Sequence, residues 1–560
     1  MASELARYGI SCRIIDKSPH PSQVSKALGI QARTLEVFED MGVIQPFLDE
    51  ALRMEGVNLY DATKQLAHIR FDNVDLSDLP YPFGMLLPQS HTERILMAHA
   101  ATLGIHVERP KELVSFAQDA DGITVVLRCA DGTDEILRTH WLLACDGASS
   151  GVRSALGLSF DGETYSEAFW AADVTIDTPL PRAEIHSVLH PEGMMMVFPL
   201  FPDRKFFRIA ADVMVDIPTS ERPAPPTFEQ IRDVVKRRCP FPLEIRDPEW
   251  LAAFRVHHRK IKQYRHGRVF LAGDAAHIHS PMGGQGMNTG IQDAYNLAWK
   301  LALVEQGYGS ERLLESYNAE REPIAADLLQ TTNRMTKMAK TRNPILQKIR
   351  NRIVPIVAST EAVQEKVIRS MSEVDLCYPT SPIVREDWSG SGDLHAGDRA
   401  PDATLVNART GNTERLFEVL KDTRWMLLLF SGKQATVQDI RLLRRIAWEV
   451  RTDYGKCIDT RFVILGKAPN EALVNENLLN ENLLNEDTPT LLDTTGIAHQ
   501  RYEASSVSGA SLALVRPDGY IGYRSAPASI DALLEYVQTI FPQKTVGVAA
   551  AWARQAVEQS

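Results

Sequence analysis

The residues best able to do chemistry stand between positions 265 and 300. A short apolar run at 268–272, with β-branched and aromatic members, reads as a buried strand that Gly273 and Asp274 bring to an end. Pro281, Gly283, Gly284 and Gly286 then disfavour regular structure and let the backbone approach a partner closely. From Gly290 onward, Ile291, Ala294, Ala298 and Leu301 fall on one helical face. A strand that stops at a carboxylate, followed by bare backbone at a helix N-terminus, suits a ligand with hydroxyls at one end and negative charge at the other.

Gly273-Asp274, Pro281 and the loop Gly283-Gly284-Gln285-Gly286-Met287-Asn288 together resemble the second flavin fingerprint of the single-component FAD-dependent aromatic hydroxylases. That family includes phenol hydroxylase and p-hydroxybenzoate hydroxylase. The resemblance implies that Asp274 binds the ribityl chain and that Gly286, Met287 and Asn288 meet the pyrimidine edge of the flavin. Gly273 and Gly284 belong to the same fingerprint, and Pro281 is expected beside the reactive face. Further back, Asp146, Gly147, Ala148, Ser150, Val152 and Arg153 match the family's D-G-A-x-S-x-V-R motif, which supports FAD and NAD(P)H binding. Asp16 ends an expected strand at 11–15 and matches the acid that takes ribose hydroxyls. Lys26 and Arg33 match basic residues that face the FAD phosphates, and Gln89 matches a glutamine that reaches the ribityl region.

One part of the pattern is not in the sequence. The first strand of a dinucleotide-binding unit and its G-x-G-x-x-G turn seat the pyrophosphate, and the sequence starts within the helix that follows them. The expectation is that the sequence as given binds FAD weakly or not at all and that a longer form is the working enzyme.

The elements that position these residues define the fold class: α/β plus α+β, an FAD-binding Rossmann-like fold of the p-hydroxybenzoate hydroxylase type. A β-sheet substrate domain and a C-terminal thioredoxin-like domain complete it. Residues 1–165 form the first part of the FAD-binding domain. Residues 166–255 form the substrate sheet, 256–386 the second FAD-binding part with a helical region, and 394–545 the thioredoxin-like domain. Turn pairs Asp121-Gly122 and Asp131-Gly132 predict an antiparallel meander over 113–137. The stretch 57–83 is expected to dip into the substrate region, and Ser90 with Glu93 predicts a capping box. Strands are predicted at 168–177, 193–201 and 206–212, with Met194, Met196 and Phe198 as candidate pocket residues for an oily aromatic substrate. Most apolar strand residues of this kind serve as core. His257-His258 and His277-Ile278-His279 carry no accompanying ligand spacing, so no metal is expected.

Residues 353–371 read as helix and as a candidate homodimer surface, and 387–393 reads as a linker by composition. The C-terminal domain carries an Arg-Pro-Asp-Gly hairpin at 516–519 and a tandem Asn/Glu/Leu duplication at 475–486 read as a surface insert. With six cysteines far apart and no Cys-x-x-Cys, it has no dithiol chemistry and is assigned an interface or stability role. The same cysteine usage favours a reducing, cytoplasmic compartment. The net charge of −11 gives no nucleic-acid footprint, and no apolar run is long enough for a membrane span.

The resemblance implies an FAD-dependent monooxygenase that hydroxylates a phenolic or other aromatic, including polyketide, substrate with NAD(P)H and O2. The alternative is a non-catalytic homologue, with weak FAD binding, kept as an auxiliary protein. No substrate base can be assigned from residue type and spacing.

Overall fold

The computed structural model describes every residue except 23–24, 26, 179, 203, 216, 219–220, 281–282, 340–346, 348, 350, 353–354, 356–359, 467–487 and 543–560. The duplicated 475–486 segment therefore lies outside the described residues, as does part of 353–371.

Short apolar strands alternate with helices in the N-terminal region, which favours parallel pairing. Ile14–Ile15 lies parallel to Val107–Glu108, and Leu142–Ala144 lies parallel to Val269–Leu271. These are two separate pieces; among the described residues no strand joins them. Val269, Phe270 and Leu271 are all buried, as expected of a strand covered on both faces. The meander at Glu112–Gln118, Ile123–Arg128 and Asp134–Thr139 pairs antiparallel as its turns dictate.

The helix Gly286–Glu305 runs behind these strand ends. It is buried on nearly every side, including Asn288, Thr289, Gln292, Asp293, Asn296 and Lys300. Polar residues so placed must be paired, because each desolvated and unpartnered group costs about 1–3 kcal/mol. Their partners come from the long helix Arg312–Ala339, from Gly29–Gln31, Gly273, His277 and Glu373, and from the C-terminal domain.

The second layer is an eight-stranded sheet. Its order is His277–Ile278, Glu244–Lys260, Asp161–Asp177, Phe206–Met214, Gly193–Pro199, Glu184–His190, Gly56–Asp61 and Gln65–Arg70. The sheet thus draws its last two strands from 56–70, well before the 166–255 stretch that supplies most of it. Strand alternation sorts its faces. Met195, Val197, Ile209 and Ala211 pack on the helix Phe228–Arg238 through Ile231, Val234 and Val235. Met194, Met196, Phe169, Ala210 and Val256 occupy the opposite face, with Phe198 packed against them.

The C-terminal domain is another eight-stranded sheet, with order Arg385–Trp388, Ile521–Ala526, Ser511–Val515, Trp425–Phe430, Ile458–Leu465, Thr490–Asp493, Thr404–Asn407 and Thr413–Arg415. Trp425–Phe430 runs parallel to Ile458–Leu465 through the helix Val437–Tyr454 and antiparallel to Ser511–Val515, which forms a hairpin with Ile521–Ala526, a thioredoxin-like arrangement. Thr436 and Asp439 cap that helix reciprocally.

Two local expectations need correction. The stretch 387–393 is not a free linker: Arg385–Trp388 is an edge strand parallel to Ile521–Ala526, and Trp388 stacks under Arg524 at 3.7 Å. A Cβ on Gly392 would run into Glu503, so its glycine serves close packing rather than flexibility. The helix expected to be capped by Ser90 begins two residues early, at Gln89, with Pro88 at the N-cap and no side-chain cap. Ser25 Oγ and the Ala27 carbonyl already take the Gln89 backbone N–H, and Glu93 instead accepts the Gln89 side-chain amide at 2.8 Å.

Candidate functional site

Two acid-bearing turns leave adjacent parallel strands. Ala144 is in register with Leu271, and the Ala272 N–H donates to the Ala144 carbonyl at 3.1 Å. Asp146 and Asp274 follow directly, and both are exposed. Gly147 at φ +79° and Gly273 at φ +57° adopt the left-handed backbone that these tight turns require.

Arg153 ties the two turns together. Its guanidinium donates to the Ala148 carbonyl at 2.7 Å and to the Ala275 carbonyl at 3.0 Å, and lies 3.8 Å over the Phe160 ring. Arg153 is thereby placed as a brace between the turns. Asp146 Oδ2 accepts the Val152 N–H at 3.1 Å, and Ser150 caps the helix Gly151–Ala155.

The glycine loop is docked with equal definition. Asn288 Oδ1 accepts the Gln31 N–H at 2.9 Å, while Nδ2 donates to the carbonyls of Gly29 at 3.0 Å and Gly284 at 2.8 Å. Its side chain is used up in holding the loop to the strand Gly29–Ile30. The Met287 side chain packs against the cluster of Ile30, Leu35 and Phe38. What remains are the backbone N–H groups of Gly286, Met287 and Asn288, for which no described residue supplies an acceptor. They form the N-terminus of a 20-residue helix, where negative charge is stabilised by about 0.3–2 kcal/mol.

The turn at Gly273 is seated on this same helix. A Cβ on Gly273 would lie 3.5 Å from the Gly290 Cα, so the two backbones touch. Asp293 Oδ2 accepts the Gly273 N–H at 3.0 Å and faces His277 Nε2 at 2.7 Å, and Arg321 Nε donates to Asp293 Oδ1 at 2.7 Å. Burial pushes the Asp293 carboxyl up, but His277 and Arg321 outweigh it and hold the group below its ordinary range. His279 is pushed down to about 4 by burial and is neutral at pH 7; its Nδ1 faces the Ser280 carbonyl at 2.8 Å.

Exposed acids at two strand ends and open N–H groups at a helix start fit the ribityl and pyrimidine parts of a flavin. A flavin held there would find a carboxylate for its hydroxyls and a positive helix end for the edge that gains charge on reduction.

Other expected residues are dispersed. Asp16 accepts the Ser18 N–H at 2.9 Å and pairs with Arg109 at 3.0 Å, on the separate strand pair. Gln89 Oε1 accepts the Ala27 N–H at 3.3 Å. Lys26 and Pro281 lie outside the described residues. Arg33 lies against the C-terminal domain. Its guanidinium is buried, pairs with Glu36 at 2.6 Å, donates to the Asp518 carbonyl at 2.5 Å and stacks 5.0 Å from the Tyr520 ring. The C-terminal hairpin has taken the charge that the sequence pattern offered to a phosphate. Met194 and Met196 are buried in the sheet, whereas Phe198 keeps part of its ring exposed.

Sequence reasoning missed Asp293 and Arg321. Asp293 stands among apolar residues of the helix Gly286–Glu305, and a charge there was itself the available sign of a buried partner. It also missed Arg208, which pairs with Asp173 at 2.6 Å and donates to the Ser25 carbonyl at 2.5 Å, fastening the sheet to the 25–27 segment.

Comparison with known proteins agrees with this geometry. The family model described as an FAD binding domain matches residues 1–332. The chain is 33% identical over 555 residues to 6-methylpretetramide 4-monooxygenase of Streptomyces rimosus, covering 97% of this chain and 92% of the relative. It is 32% identical over 454 residues to pentachlorophenol 4-monooxygenase of Sphingobium chlorophenolicum, covering 80% of each. Among solved structures, an anhydrotetracycline hydroxylase from Streptomyces rimosus superposes with a TM-score of 0.73 at 28% identity, covering 97% of this chain and 96% of the other. With its two acid turns, its glycine loop and these relatives, the chain belongs to the FAD-dependent aromatic monooxygenases.

Proposed function

We propose that this protein hydroxylates a flat, fused-ring phenolic substrate of polyketide type, using NAD(P)H and O2. The observation that carries the reading is that the turns bearing Asp146 and Asp274 leave adjacent paired strands, and that the Gly273 turn is seated on the helix whose first residues are Gly286, Met287 and Asn288. The size of substrate is suggested by the relatives that act on tetracycline-type compounds and match nearly the full length of the chain.

FAD, when bound, supplies the oxygen-activating chemistry and accepts hydride from the nicotinamide. The chain's own residues position and insulate. Asp274 would accept hydrogen bonds from the ribityl hydroxyls, and Asp146 would serve the same end from the neighbouring turn. The N–H groups of Gly286, Met287 and Asn288 would oppose negative charge on the pyrimidine edge. Phe198, with Met196 behind it, would form an oily wall that excludes water from the substrate face. Scattered cysteines support a reducing, cytoplasmic location. Assembly as a homodimer is part of the proposal, to be checked by particle mass in solution.

The test is a panel of phenols and fused-ring polyketides screened for stimulated NAD(P)H oxidation. The expected result is oxidation coupled to a product heavier by one oxygen atom. NAD(P)H consumption that yields only peroxide across the whole panel would refute the substrate class. The auxiliary-protein reading draws on the split parallel sheet; a purified protein that takes up no FAD would favour it.

A further inference from the structure

The C-terminal domain carries no thiol pair, yet a continuous line of buried contacts, one aromatic and the rest polar, runs from it to the turn that bears Asp274. Tyr520, on the C-terminal hairpin, packs against Tyr378 with ring centroids 4.4 Å apart and the rings tilted by 47°. The Tyr378 hydroxyl faces Arg321 Nη1 at 3.0 Å. Arg321 reaches Asp293 at 2.7 Å through Nε and donates to the Thr289 carbonyl at 3.1 Å through Nη2. Asp293 in turn holds the Gly273 N–H and His277. Asp274, the residue after Gly273, is the one placed against the ribityl chain. Arg321 and Asp293 are fully closed to solvent.

We propose that Arg321 and Asp293 are positioning residues for the flavin, and that Tyr378 makes their arrangement conditional on docking of the C-terminal domain. This rests on the flavin reading of the site above. The physical reason is geometric and electrostatic at once. Asp293 carries a full charge one hydrogen bond from the turn that bears Asp274, so its orientation sets where that turn stands. Arg321 cancels the charge and fixes the carboxylate plane through a planar guanidinium, which a lysine cannot reproduce. Thr289, whose carbonyl Arg321 holds, lies in the first turn of the helix whose N-terminal N–H groups face the flavin edge. One guanidinium therefore braces both halves of the cofactor seat, and the C-terminal domain braces the guanidinium.

The two residues bear opposite charges, which separates a positioning role from a merely structural one. Arg321→Met and Asp293→Asn should each weaken FAD binding about ten-fold. Their effects on the flavin midpoint potential should differ in sign. Losing the Arg321 cation makes the site more negative and lowers the potential, whereas losing the Asp293 anion raises it. Arg321→Lys should recover the potential more fully than the affinity. Tyr378→Phe, which removes one hydroxyl and leaves the ring in place, should weaken FAD binding by a few-fold while the apoprotein unfolds at nearly the wild-type temperature.

The measurements are FAD dissociation constants from flavin fluorescence, midpoint potentials, and thermal unfolding of the apoproteins, all on the full chain. Wild-type protein that binds no FAD would overturn the flavin reading itself. Wild-type protein that binds FAD, with variants that bind equally well and share its potential, would overturn this proposal alone. If the charge variants do not fold, Tyr378→Phe decides: unchanged FAD affinity overturns the link to the C-terminal domain.

Discussion

Replacing Arg516 by methionine should unfasten the C-terminal domain. Arg516 is fully buried and donates to Glu320 at 2.7 and 2.9 Å and to Asp518 at 2.9 and 2.6 Å. Without it the two carboxylates fare differently. Glu320 keeps Lys300 at 2.6 Å, Asn296 at 2.7 Å and Ser381 at 2.6 Å. Asp518 keeps only neutral donors, Trp299 at 3.0 Å and Asn296 at 3.3 Å. The dominant loss is thus the cation hydrogen-bonded to the buried Asp518 carboxylate, with Lys300 acting on it only from a distance, and breaking such a pair from one side costs about 3–5 kcal/mol. Adding Asp518→Asn removes the stranded charge, so the double variant should regain about 1–3 kcal/mol relative to the sum of the singles. Trp299 and Trp425 meet edge to face at 5.6 Å across the seam, so tryptophan fluorescence in urea reads the event. Far-ultraviolet circular dichroism should be followed in parallel, because a chain of this size need not unfold in one step. A loss below about 1 kcal/mol for Arg516→Met, or strict additivity with Asp518→Asn, would refute the reasoning.

Burial pushes the Glu373 carboxyl up from 4.5 to about 8, against the pull of Arg321 and the hydrogen bonds from Gln292 and Thr289. A carboxyl raised by folding lends stability that is whole below its unfolded pKa and is lost as pH rises toward 8. At about 1.4 kcal/mol per pKa unit, the swing is bounded at about 5 kcal/mol. Glu373→Gln should therefore flatten the fall in melting temperature between pH 5 and 8; a slope matching wild type would count against it. Gly273→Ala places a side chain at φ +57°, a strain of about 1–3 kcal/mol, and should reduce flavin uptake measured by the visible absorbance of the purified protein. Arg33→Lys should lower the urea midpoint while leaving the FAD dissociation constant within two-fold, roughly the resolution of such titrations on a scale where 1.4 kcal/mol is ten-fold. A selective loss of FAD affinity would return Arg33 to the phosphate site. Phe198→Ala should change KM for the aromatic substrate more than the rate of substrate-free NAD(P)H oxidation.

Local chemistry made much of this legible. The Asp-Gly turns set the meander and alternation set the sheet faces, whereas the helix read from Gly290 in fact starts at Gly286, inside the glycine loop. Residues whose roles depend on distant partners were not legible. Arg33 reads as a phosphate ligand until Asp518, 485 positions away, is seen to claim it. Asn288 was read for its backbone; nothing nearby in sequence says that its amide spans Gly29 and Gly284. Arg153 was read as a motif member, but its function as a brace needs Ala275, 122 residues later. Composition misled at 387–393, because serine and glycine describe a tight fit against Glu503 as well as they describe a tether.

The seam between the first helices and the last hairpin also bears on how the chain is made. Arg33 and Glu36 can pair with each other once their helix forms, but Glu36 waits for Arg399, and Arg33 for the Asp518 carbonyl, before the pair is closed over. At about 5–20 residues per second, the 485-residue interval occupies a ribosome for roughly 25–100 s. Throughout that time the helix Ala32–Asp40 carries charges destined for burial, so this part of the molecule sets long after it is made.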